Sequence, residues 1–349
     1  MGTFSGGFLR PAKNRGSFVP MYWGDGSDGV LSAGTTYHAK DAEGVGDFDK
    51  YSGFCIKQFS SINWVPGSPE TLTVDEPCRG FILFVDGDVI IGEYATISMA
   101  KLGSIMPVNP AELIDLYGES NQLRHIVDTL KTLNGGGGGD GGDGKDNGGI
   151  GGTGGVPRCC QGGFGAGGGG RGVGEYTGGN GGSIEYAEVF GWPGGCNDRI
   201  SPNIAYHGVN GGGGGGAYSS SAATARAGKG GTPFGGGGGG ALVKSISGAI
   251  NGTDGEHAGG FILIIAKGRV SISGTIDVTG GDGGTGDGNG VDLQEGGGGG
   301  GAGGGVIAVF ARSTIDTTLA TKTLTGGAGG SGYQSGTTGG DGTYYEEKL

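Results

Sequence analysis

The chain has 349 residues, and 95 of them are glycine, about 27%, against roughly 7% in ordinary proteins. Seventeen of the glycines fall in residues 1–134 and 78 in 135–349. Without a strict G-X-Y period, and with only 11 prolines, a collagen triple helix is excluded. A formal net charge of −12 with no block of Lys and Arg excludes the basic footprint of a nucleic-acid binder.

Residues 1–50 are polar and rich in turn formers. The run from Tyr22 to Gly29 mixes aromatics with Gly and Asp, which reads as a loop rather than a core element. From Lys57 the pattern changes: Phe59, Ile62, Trp64, Leu72 and Val74 alternate with polar residues, as short strands do.

An internal repeat follows. Gly80–Gly92, then Ala95–Met99, reads as a strand, a polar-glycine corner, a second short strand and a third. The same text returns in Gly260–Gly274 and Thr275–Val278, and more weakly in Gly305–Arg312 and Thr323–Gly327. Short strands with corners between them suit the coils of a β-solenoid, whose inward Val, Ile and Phe stack on equivalent positions of neighbouring coils. A β-sandwich also satisfies the alternation.

Helical text lies between Met106 and Asn134. Asn109, Pro110 and Glu112 supply an N-cap, a first-turn proline and a first-turn acid. Leu113, Leu116 and Tyr117 follow at helical spacing. Ser120 can cap a second helix whose Leu123, Ile126, Val127, Leu130 and Leu133 share one face. This hairpin is expected to pack its stripe beside the first repeat copy.

Glycine tracts come next, at Gly135–Gly139, Gly167–Gly170, Gly211–Gly216, Gly235–Gly240 and Gly296–Gly301. Their similar lengths and wide spacing suggest that they meet. An extended three-residue-per-turn helix makes no internal hydrogen bonds. Without Cβ atoms such helices can approach closely enough to bond to one another, satisfying buried backbone groups. The expected fold is therefore mostly β with irregular structure: solenoid-like or sandwich strand coils plus a polyglycine-II helix bundle, with a small helical insertion near 110–133. The expected division is a turn-rich N-terminal attachment segment over 1–56, strand coils over 57–106, the helical insertion over 107–134 and a glycine-rich domain over 135–349. Strands are interleaved in that last domain at 259–280 and 305–325.

Chemistry is sparse. Occurrences of GxGxxG carry no information in so glycine-rich a chain, and neither Gly144-Lys145-Asp146 nor Gly228-Lys229-Gly230 completes a phosphate loop. His38, His125, His207 and His257 have no ligand spacing. The five cysteines, Cys55, Cys78, Cys159, Cys160 and Cys196, are odd in number and lack CxxC spacing, so neither a disulfide framework nor a zinc site is expected. Cys55 and Cys78 are separated by close to one coil length, so they are expected to stack. No enzyme activity and no cofactor are expected. Asp140, Asp143 and Asp146, and Asp282, Asp287 and Asp292, are weak calcium candidates, since hard cations want many oxygens; Asp also sits naturally at tight turns. No apolar run is long enough for a membrane span, and Met1–Gly16 hold no apolar stretch of secretory-signal length.

Aromatics are better placed for function. Tyr186, Phe190, Trp192 and Tyr206 lie in the stretch Ser183–Asn210, Tyr218 and Phe234 in the next interval, and Tyr333, Tyr344 and Tyr345 in the tail. On loops held by a rigid scaffold they would form a contact surface of low entropy cost; alternatively, Phe190 and Trp192 cap the glycine bundle.

The repeat text of Gly80–Met99 and Gly259–Gly281, each running into polyglycine, resembles the glycine-rich tail proteins of tailed phages and prophages. The tracts of 135–345 with aromatic intervals between them are similar to the distal tail-fibre adhesins of T-even-type phages. That resemblance implies a virion tail-fibre or tail-tip protein whose polyglycine sandwich displays receptor-reading loops. Host attachment would be non-covalent, to a bacterial surface glycan or outer-membrane protein, through Ser183–Asn210 and its neighbours. Other virion tail proteins and copies of the chain itself, three in a fibre, are the further partners implied. A purely structural virion part is the competing expectation, and an ice-binding or matrix protein the third.

Overall fold

A computed structural model describes residues 21–37, 53–103, 108–142, 160, 242–244, 248–250, 255–285, 297–332 and 334–349. The chain enters with two short strands, β1 (Val30–Leu31) and β2 (Thr36–Tyr37). It then makes successive rounds: β3 (Phe54–Phe59), β4 (Ser61–Trp64), β5 (Glu70–Val74), followed by β6 (Gly80–Val85), β7 (Val89–Ile91), β8 (Ala95–Ser98). Two helices, α1 (Glu112–Tyr117) and α2 (Asn121–Leu130), and an antiparallel hairpin of β9 (Leu242–Lys244) and β10 (Gly248–Ile250) intervene. The rounds resume with β11 (Phe261–Ala266), β12 (Val270–Ile272), β13 (Thr275–Asp277), then β14 (Val306–Ala311), β15 (Ile315–Asp316), β16 (Thr321–Thr323), and end on β17 (Thr343–Lys348).

Each round lays one strand on each of three five-stranded sheets. The first has the order β3-β6-β11-β14-β17, the second β1-β4-β7-β12-β15 and the third β2-β5-β8-β13-β16. Pairing within all three is parallel. An antiparallel sandwich, the other arrangement compatible with the alternation, lacks this pairing. Among the described residues no helix is long and apolar enough to cross a membrane.

Why the strands of the first sheet are apolar throughout follows from what lies on its two faces. Phe81, Leu83, Val85, Ile262, Ile264, Ile307 and Val309 point into the space between the three sheets. Their alternates Ile82, Phe84, Phe261, Leu263, Ile265 and Phe310 point outward onto α1 and α2, meeting Leu113, Leu123, Ile126, Val127 and Leu130. A sheet buried on both faces needs continuous apolar strands rather than alternating ones. The second and third sheets keep the alternation, as in the buried Val89 and Ile91 flanking the half-buried Ile90.

The repeat copies are offset by one residue from their apparent alignment. Gly80 faces Phe261, and Phe81 faces Ile262; copy-to-copy text would have matched Gly80 with Gly260. A one-residue slip would turn every side chain to the opposite face, so the inward Phe81 could not stack on the outward Phe261. The alignment that holds runs through the corners, with Val89 opposite Val270. There Asp86 pairs with Lys267 at 2.7 Å and Asp88 with Arg269 at 3.2 Å. Gly80 is required by its neighbour: a Cβ there would stand 2.6 Å from Phe261 Cδ1.

The helix signals hold for α2 and in part for α1, where Asn109 and Pro110 both lie before the N-cap. Ser120 Oγ accepts the amide of Leu123 at 3.0 Å, capping α2. Asn109, however, does not cap α1; its side chain accepts from Ala111 N at 3.2 Å in the preceding turn, and Ala111 is the N-cap. Glu112 is an acid of the first turn, as expected, and also pairs with Arg79 at 2.7 Å. Three further expectations change. Trp23 is buried, 5% exposed, because residues 21–29 fold over the outer face of β3 and β6 and share their apolar layer. Cys55 stacks on Phe81, not on Cys78; both cysteines are buried and neither forms a disulfide, and burial pushes the Cys78 thiol up to about 11. Tyr344 and Tyr345 belong to β17 rather than to a displayed loop.

Trp64, fully buried, donates its indole N–H to Glu70 Oε2 at 2.8 Å, and Gly34 N donates to the same oxygen at 2.8 Å. These two donors, the Gly34 amide first, hold the Glu70 carboxyl below its usual value. The stabilisation is present in full above the ordinary carboxylate range and is lost as pH falls through the lowered value. Thermal melts from neutral to acid pH should show this loss in the wild type. In Glu70→Ala the melting temperature should already be lower at neutral pH, and its acid dependence weaker.

Candidate functional site

The junction between the third sheet and the first is where the chain leaves the strand rounds. The outgoing segments are 134–142, 278–285 and 324–332; the incoming ones are 255–260, 297–305 and 334–342, which run directly into β11, β14 and β17. None of them is a strand or a helix, yet their backbone groups are paired segment to segment.

The pairing repeats every third residue. The amides of Gly136, Gly139 and Gly142 donate to the carbonyls of Gly304, Gly301 and Gly298 at 2.9, 2.8 and 2.8 Å. The amides of those three acceptor residues donate in turn to Gly340, Thr337 and Gln334, each at 2.9 Å. Gly299, Ala302 and Gly305 donate to Gly284, Gly281 and Val278 at 2.7, 2.8 and 2.8 Å, while Gly327 and Gly330 donate to Ala302 and Gly299. Segment 297–305 is thus surrounded on all sides, and it is buried throughout. A β-ladder alternates with period two, whereas the donation here repeats with a period of three.

Close approach is what glycine contributes here. A Cβ built on Gly300 would overlap the carbonyl oxygen of Gly139, and one on Gly303 that of Gly136. Positions facing away from the neighbours are free to carry side chains, and they too recur every third residue: Asp282 and Thr285, or Thr325, Ala328 and Ser331, are exposed.

A polar clamp fastens this layer to the strand rounds. Lys101 Nζ pairs with Glu256 and, at 3.5 Å, with Asp282. Asp282 Oδ1 also accepts from Ala328 N at 2.8 Å. Burial works against the Lys101 charge, but the two carboxylates outweigh it and hold its pKa above the usual value. Nothing in the local sequence around Lys101 signals this role, since its partners are more than 150 positions away.

Of the calcium candidates, Asp140 and Asp282 lie among the described residues, whereas Asp143, Asp146, Asp287 and Asp292 lie outside them. Asp282 is engaged by Lys101 and the Ala328 amide. Asp140 is exposed, with its carbonyl accepting from Thr337 N at 2.7 Å. Among the described residues no group of three His, Cys, Asp or Glu side chains is arranged to hold a metal ion. The receptor-contact candidates Tyr186, Phe190, Trp192, Tyr206, Tyr218, Phe234 and Tyr333 lie outside the described residues, as do the tracts at 167–170, 211–216 and 235–240.

What the structure does bring together is one end of three of the glycine segments. Gly142 N donates to Gly298 O, and Gly298 N donates to Gln334 O. Gly142 precedes 143–159, Gly298 follows 286–296, and Gln334 follows Tyr333; the last described residue before the six other aromatics is Cys160, buried in the helix layer with its amide donating to Leu133 O at 2.9 Å. Gly142, Gly298 and Gln334 therefore sit side by side, at the end of the glycine segments away from β14 and β17. No family model matches the chain, and no curated protein and no solved structure matches it.

Proposed function

We propose that the three sheets are the faces of a β-solenoid, that the glycine segments form a polyglycine-II bundle on one of its corners, and that the whole is a scaffold for displaying loops. The cyclic order of the strands and their parallel in-register pairing support the solenoid. The threefold period of amide donation, with one segment surrounded by others, supports the bundle. On this reading the protein is a phage virion component, a tail-fibre or tail-tip protein that attaches to the host by non-covalent binding and catalyses nothing.

The observation that carries the reading is the hydrogen-bonded row Gly142–Gly298–Gln334. The residues that border 143–159, 286–296 and Tyr333 lie at one level, and on this proposal contacts made there, joined by the aromatics beyond Cys160, address one receptor surface. Rigid bases also lower the entropy lost when a loop is fixed on binding. A bacterial surface glycan or outer-membrane protein is the proposed target; other tail proteins and further copies of the chain are the proposed assembly partners, and the virion is the proposed location.

The test is retention of host cell envelope by the purified chain. Binding should be strong for the wild type and at least about tenfold weaker for Trp192→Ala, the loss of one aromatic anchor of about 1.4 kcal/mol or more. Antibody labelling should place the chain at the distal tail. Absence of envelope binding together with labelling elsewhere on the particle would replace attachment with a purely structural role.

A further inference from the structure

The third sheet turns a face of unusual chemistry outward. Thr71, Thr96, Thr275 and Thr321 stand opposite one another on β5, β8, β13 and β16. Two residues along the same strands, Thr73, Ser98, Asp277 and Thr323 make a second rank, extended by Thr36 of β2 opposite Thr73. The residues between the ranks, Leu72, Ile97 and Ile276, are buried. Eight of these nine outward positions carry a hydroxyl.

Strand propensity alone does not account for this. Threonine suits an outward strand position, but the second sheet, built by the same rounds, places Asn63, Ile90, Ser271 and Asp316 in its corresponding file. The threonine ranks belong to one face.

The geometry is that of a grid. Adjacent strands are about 4.8 Å apart, and alternate residues on a strand about 6.7 Å apart. β-Branching restricts χ1, so the methyls and hydroxyls are held in place by a sheet whose inner side is packed. The grid carries one charge, Asp277, and one of its oxygens is occupied by Thr279 N and Oγ1 at 2.9 and 2.6 Å. Its area is on the order of 200 Å², well short of the roughly 800 Å² per partner of a stable protein–protein contact. A second copy of the chain is therefore not its occupant. A charge-poor grid on one sheet face also offers no enclosure for a small molecule. What it complements is a ligand that is itself periodic in two dimensions and makes hydrogen bonds at each repeat.

We propose that this face binds ordered water at the surface of ice. The methyls hold first-shell water in restricted orientations, the hydroxyls anchor it, and many weak contacts engaged at once by a rigid array add up to firm adsorption. This inference is independent of the attachment reading, which concerns the far end of the glycine segments.

The experiment is ice adsorption and thermal hysteresis of the purified full chain. The wild type should partition into a growing ice front, shape ice crystals and open a gap between melting and freezing points. The double variant Thr96→Lys/Thr275→Lys, at the half-buried centre of the grid, should lose all three while keeping its circular dichroism and a cooperative melt. Asp277→Thr, which completes the second rank, should widen the gap. Absence of ice shaping by the wild type, or equal adsorption of the double variant, overturns the inference. Retention on an insoluble polysaccharide in place of ice, lost in the double variant, also overturns it and assigns the face to a glycan.

Discussion

Replacing Gly300 by alanine is expected to destabilise the chain by about 3 kcal/mol, more than most surface substitutions by a wide margin. The new Cβ would overlap the Gly139 carbonyl oxygen and lie 2.5 Å from its carbon and 2.8 Å from Asp140 O. All three are backbone atoms, so no side chain can rotate away. Relief would require segments 136–142 and 297–305 to separate, breaking the amide bonds from Gly139 and Gly142 along with the contact. Buried amides left without partners cost about 1–3 kcal/mol each. Gly303→Ala should behave alike, for the same reason at Gly136. Ala328→Ser, at an exposed position of a neighbouring segment, should stay within about 0.5 kcal/mol. Urea unfolding of the three variants decides the matter, and equal midpoints would show that the segments are not packed backbone to backbone.

Phe84→Ala is expected to cost about 3–5 kcal/mol. Phe84 is fully buried on the outer face of the first sheet. Its ring meets Tyr22 edge-on at 5.2 Å and Tyr117 at 5.0 Å, and those two tyrosines stack at 4.6 Å. One side chain thus joins β6, the N-terminal segment and α1. Gly24, at φ +95, backs directly onto it, with space for no Cβ nearer than 2.8 Å from Phe84 Cβ. The cavity left by alanine would border all three elements, which cannot collapse together because the sheet is fixed by its ladder. A lowered unfolding midpoint with earlier loss of helical signal is the expected result; an unchanged midpoint would mean that the helix layer does not depend on this contact.

Much of the architecture was legible because it rests on local periodicity. The two-residue alternation around Phe59–Trp64 and the stripe from Leu113 to Leu133 each report a buried face directly. Register was not legible in the same way. Gly80 and Gly260 look equivalent, but the stacking of inward side chains and the charged corners decide the pairing, and both act between residues about 180 positions apart. The burial of Trp23 was missed for a related reason: a glycine-rich loop has no pattern of its own, and a neighbouring sheet face supplies its apolar surroundings. Of the five glycine tracts expected to meet, 135–139 and 297–301 lie side by side, and those at 167–170, 211–216 and 235–240 fall beyond the described residues. Which tract meets which was not legible, because residues without side chains carry no label by which one partner differs from another. The exposed positions at every third residue, such as Thr325, Ala328 and Ser331, mark the side of a segment that no neighbour approaches. The aromatic candidates remain a reading of the sequence, since they fall beyond the described residues.

The junction between the third sheet and the first closes over intervals of very different size. Residues 75–79 suffice between β5 and β6, whereas 99–260 span β8 to β11, and the strand ladder is continuous across both. The ladder is thus indifferent to how much polypeptide is spliced in at that corner. Foreign sequences could be grafted there as cassettes, and lineages could exchange them by recombination, without renegotiating the frame that carries them.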